Sequence, residues 1–148
     1  MPRRPAGFTL IELIVVLVII GVMLGAVGLS IRSADRSLQF EAERLAQLLS
    51  LAREEAQVRG APIRLDADEQ GFRFMIRRNR QWQPILDDRD LRERPWEGPT
   101  TLRIDRPDGG ETIEFGREQV DAPFVLRLSR DGTSAAIAAD GLGSFVLQ

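Results

Sequence analysis

Glu12 stands one residue ahead of a run, Leu13 to Ile31, that carries no charge. At the centre of a bilayer an ionisable side chain costs roughly 2.5–3.5 kcal/mol on insertion scales, so a carboxylate persists there with a partner or a task. The run is about 19 residues long, enough to cross a ~30 Å hydrocarbon core at 1.5 Å per residue. Arg3 and Arg4 precede it, and basic residues at that end favour a cytoplasmic N-terminus. A secretory signal peptide shares the basic start, but its apolar region is shorter and its cleavage site follows that region. Here the small-residue junction, Ala6-Gly7-Phe8, lies in front of the run. Cutting there would discard a basic leader and leave the apolar helix as the new N-terminus. The plainer alternative for Glu12 is a glutamate that snorkels to the interface near a helix end.

Few other residues are equipped for chemistry. The chain has no His, Cys, Lys or Tyr, so of the usual proton-transfer groups only carboxylates remain. That inventory argues against an enzyme, and without Cys there is neither a disulfide framework nor a thiolate metal site. Asp66-Ala67-Asp68-Glu69-Gln70-Gly71 opens like a calcium loop, but Gln70 and Arg77 occupy positions that need Asp or Asn and Glu. A plain β-turn fits it better. Gly141-Leu142-Gly143-Ser144 lacks the third glycine and following helix of a nucleotide loop. No cofactor and no metal is expected. Gly21 and Gly25 have the spacing that lets membrane helices approach closely, although glycine is common in such helices anyway. The net charge of −2 becomes −4 once Arg3 and Arg4 leave with the leader, a balance that disfavours nucleic acid as a partner.

The elements that must position Glu12 follow from periodicity. No proline falls between Phe8 and Arg59, and Leu38, Ala42, Leu45, Leu49, Ala52 and Ala56 recur at helical spacing. Gly60 and Pro62 supply the stop. One helix of about 52 residues would be ~78 Å long, with a kink allowed near Ser30–Asp35. Beyond Pro62 the period becomes 2. Ile63/Leu65, Phe72/Phe74/Ile76, Leu102/Ile104, Ile113/Phe115 and Phe124/Leu126/Leu128 alternate with polar residues between Gly/Asp/Pro turns. Antiparallel strands with one buried face follow, closed by a hairpin of Ala135–Ala139 with Ser144–Leu147. The charge-dense, strand-free segment Asp87–Gly98 reads as a solvated loop or as a partner-binding loop anchored by Trp96.

The run from Gly7-Phe8-Thr9-Leu10-Ile11-Glu12 to Gly21 resembles the leader junction and helix of type IV pilins and type II secretion pseudopilins. That resemblance covers about 25 residues. It implies cleavage between Gly7 and Phe8 by a prepilin peptidase, methylation of the amine of Phe8, and an assembly role for Glu12. Side chains at i and i+4 share a helix face, so Glu12 would pair with the Phe8 amine of its own chain or of a neighbour. Leu51–Gly60 followed by Pro62-Ile63-Arg64-Leu65, and Leu128–Ser134 before the last strands, are similar to H-type minor pseudopilins. The chain lacks the C-terminal tryptophan–glycine–proline signature of major pseudopilins, which points to a minor subunit.

The resemblance therefore implies a pilin-like α+β fold, a long N-terminal helix packed on a C-terminal antiparallel β-sheet domain. Residues 1–7 would be a removed leader, 8–31 the transmembrane and assembly helix, 32–60 its amphipathic continuation and 61–148 a periplasmic β domain. It implies a structural tip component of the type II secretion pseudopilus, assisting fibre initiation and export of folded proteins. Implied partners are other minor pseudopilins, the major pseudopilin, the prepilin peptidase, the inner-membrane assembly platform and secreted proteins. Two other readings stay open: a minor type IV pilin for DNA uptake or pilus assembly, which a basic surface stripe would favour, and a tethered periplasmic binding module that never polymerises, which retention of residues 1–7 would favour.

Overall fold

The computed structural model describes residues 10–116 and 122–148, and the side chains of all of these except 24–35. The chain divides into two compact units, Met1–Ser33 and Ala34–Gln148. Helix α1 runs from Leu10 to Arg59, 50 residues. Its end follows from local chemistry. Gly60 adopts φ 60°, its N–H donates to the carbonyl of Gln57, and the N–H of Ala61 reaches back to that of Ala56. This is the Schellman arrangement, which glycine accommodates without a Cβ clash. Arg59 in the last turn also pairs with Glu55 one turn earlier. The segment 30–35, where a kink was allowed, lies outside the described side chains.

Within Ala34–Gln148, the expected stripe Leu38, Ala42, Leu45, Leu49, Ala52 and Ala56 is buried in full, and Ala46 and Leu48 widen it. Among the described residues nine strands follow: β1 (Ile63–Ala67), β2 (Gly71–Arg78), β3 (Gln81–Pro84), β4 (Arg94–Pro95), β5 (Thr101–Asp105), β6 (Ile113–Phe115), β7 (Phe124–Arg130), β8 (Thr133–Ala139) and β9 (Phe145–Leu147). They form two sheets, a division that strand alternation does not reveal. One has the order β3-β2-β1-β6, with β4 paired to the start of β2; the other has the order β5-β7-β8-β9. Every pairing is antiparallel. The division arises because β6 returns to β1 while β5, its predecessor, pairs with β7. Alternation reports which side chains are buried but not which strand is the neighbour. Both sheets direct their apolar face into one core shared with α1, including Phe74, Ile76, Leu126 and Ile137.

The segment 87–98 departs from expectation. Most of its charged residues are exposed, as a solvated loop requires, but it is not strand-free, since Arg94 and Pro95 pair with Phe72 and Gly71. Leu91 is fully buried and Trp96 is 6% exposed. The indole N–H of Trp96 donates to the carbonyl of Asp68 at 2.9 Å, and its ring lies 4.7 Å from that of Phe72. A side chain so placed anchors the fold and leaves nothing to offer a partner. The turn between β2 and β3 was also invisible in composition. It is built on Asn79 and Arg80, both with positive φ, the backbone of a type I′ hairpin without its usual glycine.

Candidate functional site

Gly7 and Phe8 lie outside the described residues. Glu12 lies in the first turn of α1, where a negative charge complements the helix dipole. Around it the large apolar side chains from Leu10 to Met23 are 47–76% exposed. A helix that is apolar on every side is one that other molecules cover, whether lipid or neighbouring helices. At Gly21 a Cβ would meet nothing within 4 Å, so packing inside this chain does not require glycine there. Gly25 lies among the residues whose side chains are not described. Among the described residues no helix is long and apolar enough to cross a membrane; the run Leu13–Ile31 continues into positions whose side chains fall outside them.

A second constellation lies in the unit Ala34–Gln148. Among the described residues Thr100 and Arg130 are its buried polar side chains. Arg130 ends β7, and the inward alternation Phe124, Leu126, Leu128 carries its side chain to the core face. The guanidinium donates to the hydroxyl of Thr100 through Nε at 3.0 Å and Nη2 at 2.7 Å. It also donates to the hydroxyl of Ser37 and forms an ion pair with Glu41. The other Glu41 oxygen accepts the N–H of Glu97 at 2.7 Å, and the Glu97 carboxylate accepts from Ser37. The Thr100 hydroxyl in turn donates a hydrogen bond to the carbonyl of Gly98 at 2.8 Å. A buried charge is tolerated when its donors are satisfied in this way. The sequence carried a signal for it, a charged residue continuing a buried period-2 series, that went unread.

Further polar groups stitch the surface of the same unit. Arg59 reaches Asp87 and Asp88 as well as Glu55, and the hydrogen bond to Glu55 is the largest influence raising its pKa. Asp87 is held below the usual carboxylate range by its own backbone N–H, then by Arg78 and Arg59. Asp140 accepts the backbone N–H groups of Leu142, Gly143 and Ser144 through one oxygen, and these bonds, that of Ser144 foremost, lower its pKa. Asp68 similarly accepts from the N–H groups of Gln70 and Gly71, which makes the loop after β1 a turn closed by its own carboxylate. Among the described residues no group of three His, Cys, Asp or Glu side chains is arranged to hold a metal ion. A groove of about 590 Å³ beside β5 and β7 is lined by Arg106, Pro107, Pro123, Val125 and Ala138 among others. Its Arg106 is engaged by Asp108 and the carbonyl of Thr112.

Comparison with known proteins gives concordant results. The family described as "Type II transport protein GspH" matches residues 41–146, and the prokaryotic N-terminal methylation motif matches residues 2–28. The type II secretion system protein H of Pseudomonas aeruginosa is 32% identical, with 94% of this chain and 93% of that protein covered. The protein H of Aeromonas hydrophila is 29% identical over 86% of this chain and 82% of its own. Among solved structures, the minor pseudopilin EpsH of the Vibrio cholerae type 2 secretion system superposes with a TM-score of 0.62 at 18% identity, covering 76% of this chain and 96% of that one. The solution structure of E. coli GspH gives 0.58 at 19% identity, covering 78% and 89%. At such identities the solved structures speak for the fold alone.

Proposed function

Since the chain belongs to the GspH family of type II transport proteins, we infer that it serves as a minor pseudopilin of a type II secretion system rather than as a pilin for DNA uptake. Members of this family are structural components that associate with other pseudopilus subunits and are anchored at the inner membrane. The observation that carries the reading is the exposed apolar helix from Leu10 to Met23, headed by Glu12, on a chain whose Ala34–Gln148 unit has its own closed core.

Several finer statements are our reading. Residues 1–7 are a leader cut between Gly7 and Phe8, and the new amine of Phe8 is methylated. The apolar helix crosses the inner membrane once with its N-terminus cytoplasmic, since Arg3 and Arg4 stand ahead of it. On assembly the helix leaves lipid and is covered again by neighbouring helices. Glu12 is then neutralised by the Phe8 amine of an adjacent subunit. The β unit faces the periplasm near the fibre tip, where other minor pseudopilins and exported proteins meet it. No catalytic step is assigned, because the residue inventory leaves only carboxylates and nothing in the sequence resembles a nucleotide site. Energy for extraction from the bilayer comes from the assembly platform.

Mass spectrometry of the N-terminal peptide of membrane-extracted protein tests the processing. The expected product begins at Phe8 and carries one added methyl group. A chain that retains Met1–Gly7 overturns the reading in favour of a tethered binding module; one cut after Ala26 or Gly28, which keeps no anchor, overturns it outright.

A further inference from the structure

The sheet β3-β2-β1-β6 has a second face, turned away from the core. Alternation sends Ile63, Leu65, Phe74 and Ile76 inward, so Arg64, Arg73, Met75 and Arg77 project outward. Register brings them together, with Arg64 opposite Met75 and Asp66 opposite Arg73, Arg64 opposite Glu114, and Arg77 opposite Trp82. The guanidinium of Arg64 lies 4.6 Å from the centre of the Trp82 ring and that of Arg77 lies 5.6 Å from it. Arg64 is also held by Asp66 at 2.6 Å, and Arg77 lies 3.9 Å from Glu114. Arg73 on this face and Arg80 in the adjoining turn are exposed and make no ion pair among the described residues. A chain of net charge −2 thus sets Arg64 and Arg77 over a half-buried tryptophan, with Arg73 four residues from Arg77 along β2 on the same face.

We propose that this face, with Arg77 stacked on Trp82, Arg73 farther along β2 and Arg80 in the adjoining turn, is a docking surface for an extended, carboxylate-bearing segment of another protein. Arginine and tryptophan are the side chains most enriched at interface hot spots, and the guanidinium fork matches a carboxylate bidentately. Stacking on Trp82 holds the Arg77 fork in place beforehand, so less freedom is lost on binding. The same details select against nucleic acid. The guanidinium groups already cover the Trp82 ring, leaving no open platform for a base. Asp66 and Glu114 interrupt the positive charge, whereas a phosphate backbone is continuously negative. An extended peptide sets same-side carboxylates about 7 Å apart, so it can meet the arginines and bypass the acids.

The test titrates the full chain in detergent with a short peptide of alternating Glu and Thr, and separately with oligothymidylate, following tryptophan emission. Trp96 is buried and serves as the internal reference. The peptide is expected to change the emission of Trp82, with affinity falling as salt rises from about 50 to about 300 mM. The Trp82→Phe variant should lose the signal. Arg73→Glu with Arg77→Glu should weaken binding about tenfold or more, while Arg103→Glu, on the other sheet, should leave it unchanged. Should the double variant fail to fold, Arg73→Ala carries the test, since it removes no ion pair. An absent emission change, an equal loss in Arg103→Glu, or tighter binding of oligothymidylate than of the peptide overturns the proposal.

Discussion

Arg130, at the tip of the last long hairpin, and Glu41, 89 residues earlier on α1, form a buried ion pair that ties the helix to the second sheet. Ser37, Glu97 and Thr100 complete the network, so helix, connecting segment and hairpin meet at one guanidinium. Removing one partner of a buried pair leaves the other charge uncompensated, a loss of about 3–5 kcal/mol in comparable cases. Arg130→Ala and Glu41→Ala are each expected to lower the melting temperature by about 10 °C or more. The double variant should lose less than the two losses together, because neither charge is then left alone. Thermal melts of the four proteins check this, and full additivity would mean that the pair does not interact.

Gly71 opens β2 directly alongside β4, opposite Pro95. A Cβ there would sit 2.5 Å from the carbonyl oxygen of Arg94 and 3.1 Å from the Cα of Pro95, both backbone atoms that cannot rotate aside. Gly71→Ala is therefore expected to push β4 off the sheet and loosen the burial of Trp96 over Phe72. Limited proteolysis between residues 85 and 98, with a red shift of Trp96 emission, would register the change. A variant cleaved no faster than the parent would show that the strand can shift without cost.

The turn after β8 gives a pH dependence of definite sign. Three backbone N–H groups stabilise the ionised form of Asp140 and hold its pKa below the unfolded value. Its contribution to stability is present above the unfolded pKa, about 3.9, and disappears as pH falls through the lower folded value. Asp140→Asn should be less stable than the parent near neutral pH. The gap in melting temperature should narrow below about pH 4; a gap independent of pH would assign the turn's stability to shape rather than charge.

Local periodicity carried most of this fold. The stripe Leu38–Ala56 and the inward residues of β1, β2, β6 and β7 were legible because every second or every third and fourth residue repeats one environment. The sites that were missed have no period. Ile85, Leu91 and Trp96 are buried at irregular intervals, inside a stretch whose many charges suggest solvent. Asp88 explains part of this, since its carboxylate accepts the N–H groups of Asp90 and Leu91 and so builds a turn from acidic residues. Strand β3 escaped because a non-glycine pair, Asn79-Arg80, makes its turn. Pairing between distant strands, and the meeting of Arg130 with Glu41, depend on tertiary register that a single chain does not spell out. The proposal for Gly7, Phe8 and Glu12 rests on a different kind of signal, a motif confined to the short run Gly7–Glu12.

Glu12 supplies the last prediction. Replacing it with leucine removes a charge from an apolar helix and eases insertion into lipid, so Glu12→Leu is expected to reach the membrane and be processed as the parent is. If its carboxylate meets the amine of a neighbouring subunit, the variant loses the attraction that brings that subunit into register. It should then cross-link poorly to other minor pseudopilins and lower secretion, with a partial defect in a subunit present in few copies. Processing, cross-linking and secreted activity measured in one strain separate the alternatives. Loss of processing together with cross-linking would place Glu12 in peptidase recognition. Normal cross-linking and normal secretion would reduce Glu12 to a side chain that reaches the interface and contributes nothing to assembly.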